Sequence, residues 1–379
     1  MNHLTPGKNS WIVMMALTIG QGCQPAGSAR ITWEQATQVP DAVGFAGAYA
    51  GVSNGHLLVA GGANFPEGTR PWSGGTKQWS DKVFALAEKD GEWKEVGRLP
   101  RPMGYGVSVT WQDQIIILGG ADQSTHYADA YLLRYEAGKF ITERLPDLPA
   151  PNANACGALL DGVLYVAGGL THPADTSAAH TFWSLDLNRP RTEWKWSVLE
   201  SWPGPSRMLS VAGVLDNAFY LMSGVALHVP EGDSLARRTY LNDAYRYAPG
   251  RGWERIADLP HAVAAAPSPG FSCNADKLWL FGGDDGSLAD RSSALQDRHP
   301  GFRKDILSYE AGSDSWQAVG EVLTDKQPDP ENRPNASTWA PVTTPLVIWN
   351  GQVVLPMGEV RPGVRTNRVL MATLNKQQP

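Results

Sequence analysis

Short apolar runs closed by glycine recur along the chain: LLVAGG (57–62), IIILGG (115–120), LYVAGG (164–169), FYLMSG (219–224), LWLFGG (278–283) and VVLPMG (353–358). Each reads as a short buried strand bounded by turn residues. A strand rich in small residues, such as FAGAYAGVSNG (45–55), leads into it through a turn. A variable loop follows, then an alternating strand such as DAYLLRY (129–135) or DILSYE (305–310). Last comes a strand opening with an aromatic residue: Trp93, Phe140, Trp196, Trp253 or Trp316. Several of these end in apolar-Pro, at 99–100, 145–146, 202–203 and 259–260. Four short strands per unit, repeated in fixed order, describe a propeller blade. The glycine pair predicts close approach of neighbouring backbones near the axis. The aromatic fits the gap between blades, where ring burial is worth roughly 2–3 kcal/mol.

Six glycine strands are present, but only five aromatic-led strands follow one. The sixth unit, Pro345–Leu374, holds three strands (PLVIW, QVVLPM and RVLMATL). Its missing fourth lies at the other end of the chain, in Ile31–Pro40. WEQATQVP (33–40) there has the form of WKEVGRLP (93–100) and WERIADLP (253–260). The expected fold is all-β, a single six-bladed propeller over 30–379 with its last blade closed by the N-terminal strand.

Composition narrows the partners. Charged residues make up 18% of the 379 and the net charge is −6, with no basic block, which argues against nucleic acid. A sugar or another neutral or weakly acidic small molecule is compatible. Residues 1–29 read as a signal peptide, with Lys8 preceding an apolar run (Trp11–Ile19) too short to span a bilayer. Cleavage is expected either after Ala29 or before Cys23, whose flanks loosely resemble a lipobox and would carry a lipid anchor. Either cut implies an exported, periplasmic protein, and no later segment suits a membrane helix. Three cysteines are too few for a disulfide scaffold. Cys156 and Cys273 fall in non-adjacent units, so a bridge between them is not expected, and they read as small buried side chains.

Strands in a blade alternate direction, so the loops after the second and fourth strands surround one mouth of the central channel, where a rigid scaffold can position function. After Met357-Gly358 the loop runs from Glu359 to Arg365 and is short enough to keep those two side chains close. A solvated ion pair is the alternative. The same face should carry Arg207 in WPGPSR (202–207), Tyr105 in PMGYG (102–106), Asn64, Asp122, Asn154 and Trp339. Packing over Trp202 is the alternative for Arg207, and a core position for Tyr105. The stretches 284–305 and 324–337 read as either a lid or a solvated excursion.

Gly-Gly followed by spaced Tyr and Trp, as in Tyr247–Trp253 and Tyr309–Trp316, resembles the kelch repeat. More narrowly, GFAGAYAGVSNGHLLVAGGANF (44–65), PMGYGVSVTW (102–111) and GEVRPGVRTNRVLMATL (358–374) resemble segments of bacterial N-acetylneuraminate epimerases, the sialic acid mutarotases. Their order differs from that of the better-known members, which makes the chain similar to a cyclically permuted branch. The resemblance implies an isomerase exchanging the α and β anomers of N-acetylneuraminate without cofactor or metal. It puts the catalytic pair on Glu359 and Arg365 and matches Arg207 to a family arginine, so that Arg365 or Arg207 would hold the substrate carboxylate; Tyr105, Asn154, Asn64 and Trp339 are further substrate-binding candidates that rest on location. Asp122 stands where relatives can have Glu. Rival readings are a non-enzymatic kelch module binding glycan or protein, a copper oxidase, for which the eight histidines show no matching cluster, and a sialidase, for which the Asp-box phrase is missing.

Overall fold

Each repeat folds into a four-stranded antiparallel sheet in a computed structural model that describes residue 1 and residues 30–66, 69–325 and 336–375. Blade one holds Tyr49–Ser53, His56–Ala60, Lys82–Leu86 and Lys94–Arg98; blade two holds Val107–Trp111, Gln114–Leu118, Ala130–Glu136 and Lys139–Arg144. Blade three is Cys156–Leu160, Val163–Ala167, Phe182–Asp186 and Trp196–Val198; blade four is Val211–Leu215, Ala218–His228, Arg237–Ala248 and Gly252–Ile256. Blade five is Phe271–Asn274, Lys277–Gly283, Arg303–Glu310 and Ser315–Glu321. Blade six takes Val347–Trp349, Gln352–Arg361 and Val364–Asn375 from the end of the sequence and Arg30–Ala36 from its start. That first segment is the outermost strand, with Ile31 opposite Leu374 and Trp33 opposite Ala372. The ring is a six-bladed propeller, closed as its repeat count requires. The expected leader, with Cys23, lies outside the described residues apart from Met1, as does most of 324–337.

Six hydrophobic clusters fill the six junctions between blades. The second strand of a blade is covered on both faces: in His56–Ala60 and Gln114–Leu118 every residue after the first is buried. This is why those strands read as unbroken apolar runs rather than alternating ones.

The glycine pairs make backbone junctions between blades. Gly61 and Gly62 have φ of +64° and +89°, and the N–H of Gly62 donates to the Met103 carbonyl at 2.9 Å. A Cβ on Gly61 would stand 2.3 Å from that same oxygen, so no side chain fits. Gly120 and Gly169 repeat the bond to Asn152 and Arg207.

Aromatic residues close the rim. Indole N–H groups of Trp93, Trp196, Trp253 and Trp316 donate to the carbonyls of Thr37, Pro146, Glu200 and Ala257, each on the preceding blade. Trp33 does the same to Glu321 at 2.9 Å, which ties the N-terminal strand into the circuit. Phe140 has no N–H to give and packs against Gly97.

A second circuit surrounds the axis. Gly47, Tyr105, Asn154, Leu209, Ala265 and Thr343 stand just ahead of the six first strands, with φ between +52° and +65°. Each donates its N–H to the carbonyl of its counterpart on the preceding blade, at 2.7–2.8 Å, and Gly47 to Thr343 completes the ring. The left-handed conformation is costly for a β-branched residue such as Thr343, and the closed ring of bonds holds it there.

Candidate functional site

The hydrogen-bonded ring is the floor of a cavity of about 690 Å³, whose lining includes Tyr105, Asn154, Leu209, Ala265 and Thr343. Below the ring lies a narrow pocket of about 80 Å³. The lower wall comes from the residue following the closing glycine on blades two to six. Ala63, Ala121, Leu170, Val225, Asp284 and Glu359 occupy this equivalent place, each bridged to the residue just before the ring position of its own blade. Four are apolar; the acids stand on the adjacent blades five and six.

Glu359 is anchored through its backbone, with its N–H donating to the Val342 carbonyl and its own carbonyl accepting from Val342. Its Oε1 accepts from Arg365 Nη1 at 2.8 Å and from the Gly363 N–H at 2.7 Å. Oε2 meets only the Thr343 hydroxyl, at 3.5 Å, among the described residues. One oxygen is thus fixed and the other is open to a ligand. Arg365 is 4% exposed, against 21% for Glu359, so the pair is not a solvated surface bridge. Its guanidinium lies 5.2 Å from the Phe65 ring centroid, and Nε donates to the Ala63 carbonyl at 3.4 Å. Burial works against its charge, but Glu359 and the Tyr105 phenol beside it outweigh that and raise its pKa.

The sequence profile of the N-acetylneuraminate epimerase family matches residues 21–142 and 145–379. The chain belongs to this family. Among curated relatives, the N-acetylneuraminate epimerase of Salmonella enteritidis PT4 (strain P125109) is 37% identical over 105 residues, 24% of this chain and 27% of the relative. That of Salmonella arizonae is 39% identical over the same shares, and that of Yersinia pestis (strain Pestoides F) 44% over 85 residues, 20% of this chain and 21% of its own. The chain thus spans about a quarter of the length of the curated relatives it matches.

The remaining expected residues divide in two. Tyr105 and Asn154 line the cavity from the ring, and Asp122 lines it from the loop after Gly120. The Asp122 carboxylate is already engaged: Oδ2 accepts from the Tyr127 hydroxyl at 2.6 Å and Oδ1 from the N–H groups of Ser124 and Thr125. Burial pushes its pKa up, and these donors more than reverse the shift.

Arg207, Asn64 and Trp339 do not line this cavity. Arg207 is fully buried, with Nη1 and Nη2 each donating to Asp243 at 2.8 Å and further bonds to the carbonyls of Ser223 and Pro205. Its guanidinium packs over Trp202 and Tyr245. The substrate role expected for it gives way to a structural one. Asn64 faces a separate cleft, where its amide donates to Asp41. Trp339 is buried under Arg361, whose guanidinium stands 4.7 Å from its ring.

Other lining residues escaped sequence reasoning. The hairpin Ala63–Asn64 with Gln78–Trp79 carries Lys77 and Trp79 to the mouth, with Lys77 Nζ 4.4 Å from the Tyr105 ring centroid. Blade four extends its two middle strands beyond Gly224, to His228 and from Arg237, and so presents Arg238 and Tyr240. The stretch 284–305 folds into short helical turns whose Ala289 and Ser292, with Phe302, also face the cavity. Lys77, Trp79, Arg238 and Tyr240 fall in stretches of variable sequence with no repeat position to mark them. Asp284 carried a signal: it follows Gly283 as Glu359 follows Gly358.

Proposed function

We propose that the cavity binds a keto sugar acid of the N-acetylneuraminate type and exchanges its α and β anomers by opening and closing the sugar ring. The observation that carries this reading is the split environment of Glu359, with one oxygen held by Arg365 and Gly363 and the other open towards the cavity. Oε2 takes the proton of the anomeric hydroxyl as the ring C–O bond breaks, and the ring oxygen gains a proton. The resulting ketone closes on its other face by the reverse steps. General acid–base catalysis of this kind contributes about 10²–10⁴-fold.

Arg365 is committed to Glu359. The substrate carboxylate is therefore assigned to Lys77 or Arg238, cavity-lining cations that form no ion pair among the described residues. No helix of the described residues is long and apolar enough to cross a membrane. We read the chain as exported on the strength of Lys8 and the apolar run after it, and as a circular permutant because its family-like segments stand in a different order along the chain.

An NMR time course begun with fresh α anomer tests the reading. Conversion to β is expected to be faster with protein than in buffer at the same pH. Saturable binding without acceleration would point instead to a glycan-binding module.

A further inference from the structure

We propose that Asp284 is a second catalytic group of this site, giving a proton to the ring oxygen while Glu359 takes one from the anomeric hydroxyl. The proposal rests on the anomer-exchange reading. Asp284 and Glu359 hold the same place in adjacent blades, each bridged by backbone to the residue before the ring position, and both line the one cavity. The repeat has aimed two carboxyl groups at a shared space, where its other four copies carry alanine, leucine or valine.

Their surroundings differ in charge. Glu359 is paired with a buried guanidinium. Asp284 accepts from the Gly286 N–H at 3.0 Å through Oδ1 and from the Tyr240 hydroxyl at 2.9 Å through Oδ2, both neutral donors. It forms no ion pair among the described residues. The titratable and charged groups around it are Tyr240 and Arg238 from the blade-four hairpin, neighbouring Asp285 with Arg303 at 3.5 Å, and His299 in the loop that follows. Burial raises the Asp284 pKa and Asp285 adds to the rise; the donors Gly286 and Tyr240, with His299, oppose it without cancelling it. One carboxylate paired with a guanidinium and one carboxyl held only by neutral donors divide naturally into base and acid.

The proton balance closes. In ring opening, the anomeric O–H gives its proton to Glu359 and its bonding electrons to the new C=O bond. The ring C–O bond breaks with its electrons on the ring oxygen, which takes the Asp284 proton. Glu359 is then neutral and Asp284 ionised, with no net change in charge. After bond rotation presents the other ketone face, closure returns a proton from the attacking hydroxyl to Asp284 and from Glu359 to the ketone oxygen.

Anomer-exchange rates of the parent, Asp284→Asn and Tyr240→Phe proteins across the pH range test this. Asp284→Asn is expected to lower kcat about a hundredfold, at the low end for acid–base catalysis, to leave KM within about threefold and to abolish the alkaline limb of the profile. Tyr240→Phe removes a donor that favours the ionised carboxyl, so its alkaline limb should move to higher pH. An Asp284→Asn protein as fast as the parent, or a Tyr240→Phe limb that stays put or moves down, overturns the role of Asp284 alone. A parent protein no faster than buffer overturns the anomer-exchange reading and this role with it.

Discussion

Arg207 and Arg365 both leave loops on the cavity side of the propeller, yet one braces a blade and the other braces a carboxylate. Arg207 is fully buried against Asp243, whose pKa burial would raise but the guanidinium draws down. Such a carboxylate stabilises the fold above its unfolded pKa of about 3.9, and that contribution is lost as pH falls through the lower folded value. Arg207→Ala should leave Asp243 with the Tyr245 hydroxyl as its remaining side-chain donor and cost about 3–5 kcal/mol in urea denaturation, with the KM of the folded fraction unchanged. Asp284 has the opposite sign. Its raised pKa means the folded protein holds that proton more tightly, so stability falls as pH climbs from the unfolded value towards the folded one. Asp284→Asn should therefore melt higher than the parent at neutral pH, with the difference vanishing in acid. A sequence shows two arginines a few residues after prolines and cannot tell them apart, because the partner of Arg207 lies two strands away on the same blade. Glu359 and Arg365 were legible because a short loop joins them.

At the scale of the element, the fourth strand does most to explain the chain. In five of the six blades its leading tryptophan bonds to the preceding blade, and the count of aromatic-led strands marks Arg30–Ala36 as the strand that blade six borrows. Removing residues 1–40 should bare the edge of Val364–Asn375 and uncover the contact of Trp33 with Phe281. An unpaired edge invites association. The truncated protein is expected to melt lower and to elute as aggregates on size exclusion, whereas the full chain melts in one transition. Strand order and closure were readable because each strand repeats a pattern fixed by its neighbours. The blade-four extension that brings Tyr240 to the mouth was not, since it follows no repeat and its residues 237–239 are exposed.

Across the whole molecule, a closed backbone circuit of hydrogen bonds at the axis, and a rim of five indole hydrogen bonds completed by the packing of Phe140 on Gly97, make the position of the chain ends a secondary matter. Arg30 pairs with Asn375, so these two positions already lie side by side. Moving residues 30–40 behind residue 375 through a linker of about 4–6 residues, with new ends in an exposed loop, should preserve both melting temperature and activity. Equal thermal melts of the two forms would bear this out; a loss of several degrees would show that the order of the chain matters to the ring. The cavity above the axial circuit owes its shape to all six blades, but its proposed chemistry comes down to one open oxygen on Glu359. The direct measurement is exchange spectroscopy on equilibrated N-acetylneuraminate. Cross-peaks between the α and β anomers are expected to grow with parent protein and to fall to the buffer level with a folded Glu359→Gln variant, and a variant that exchanges the anomers as fast as the parent would contradict the assignment.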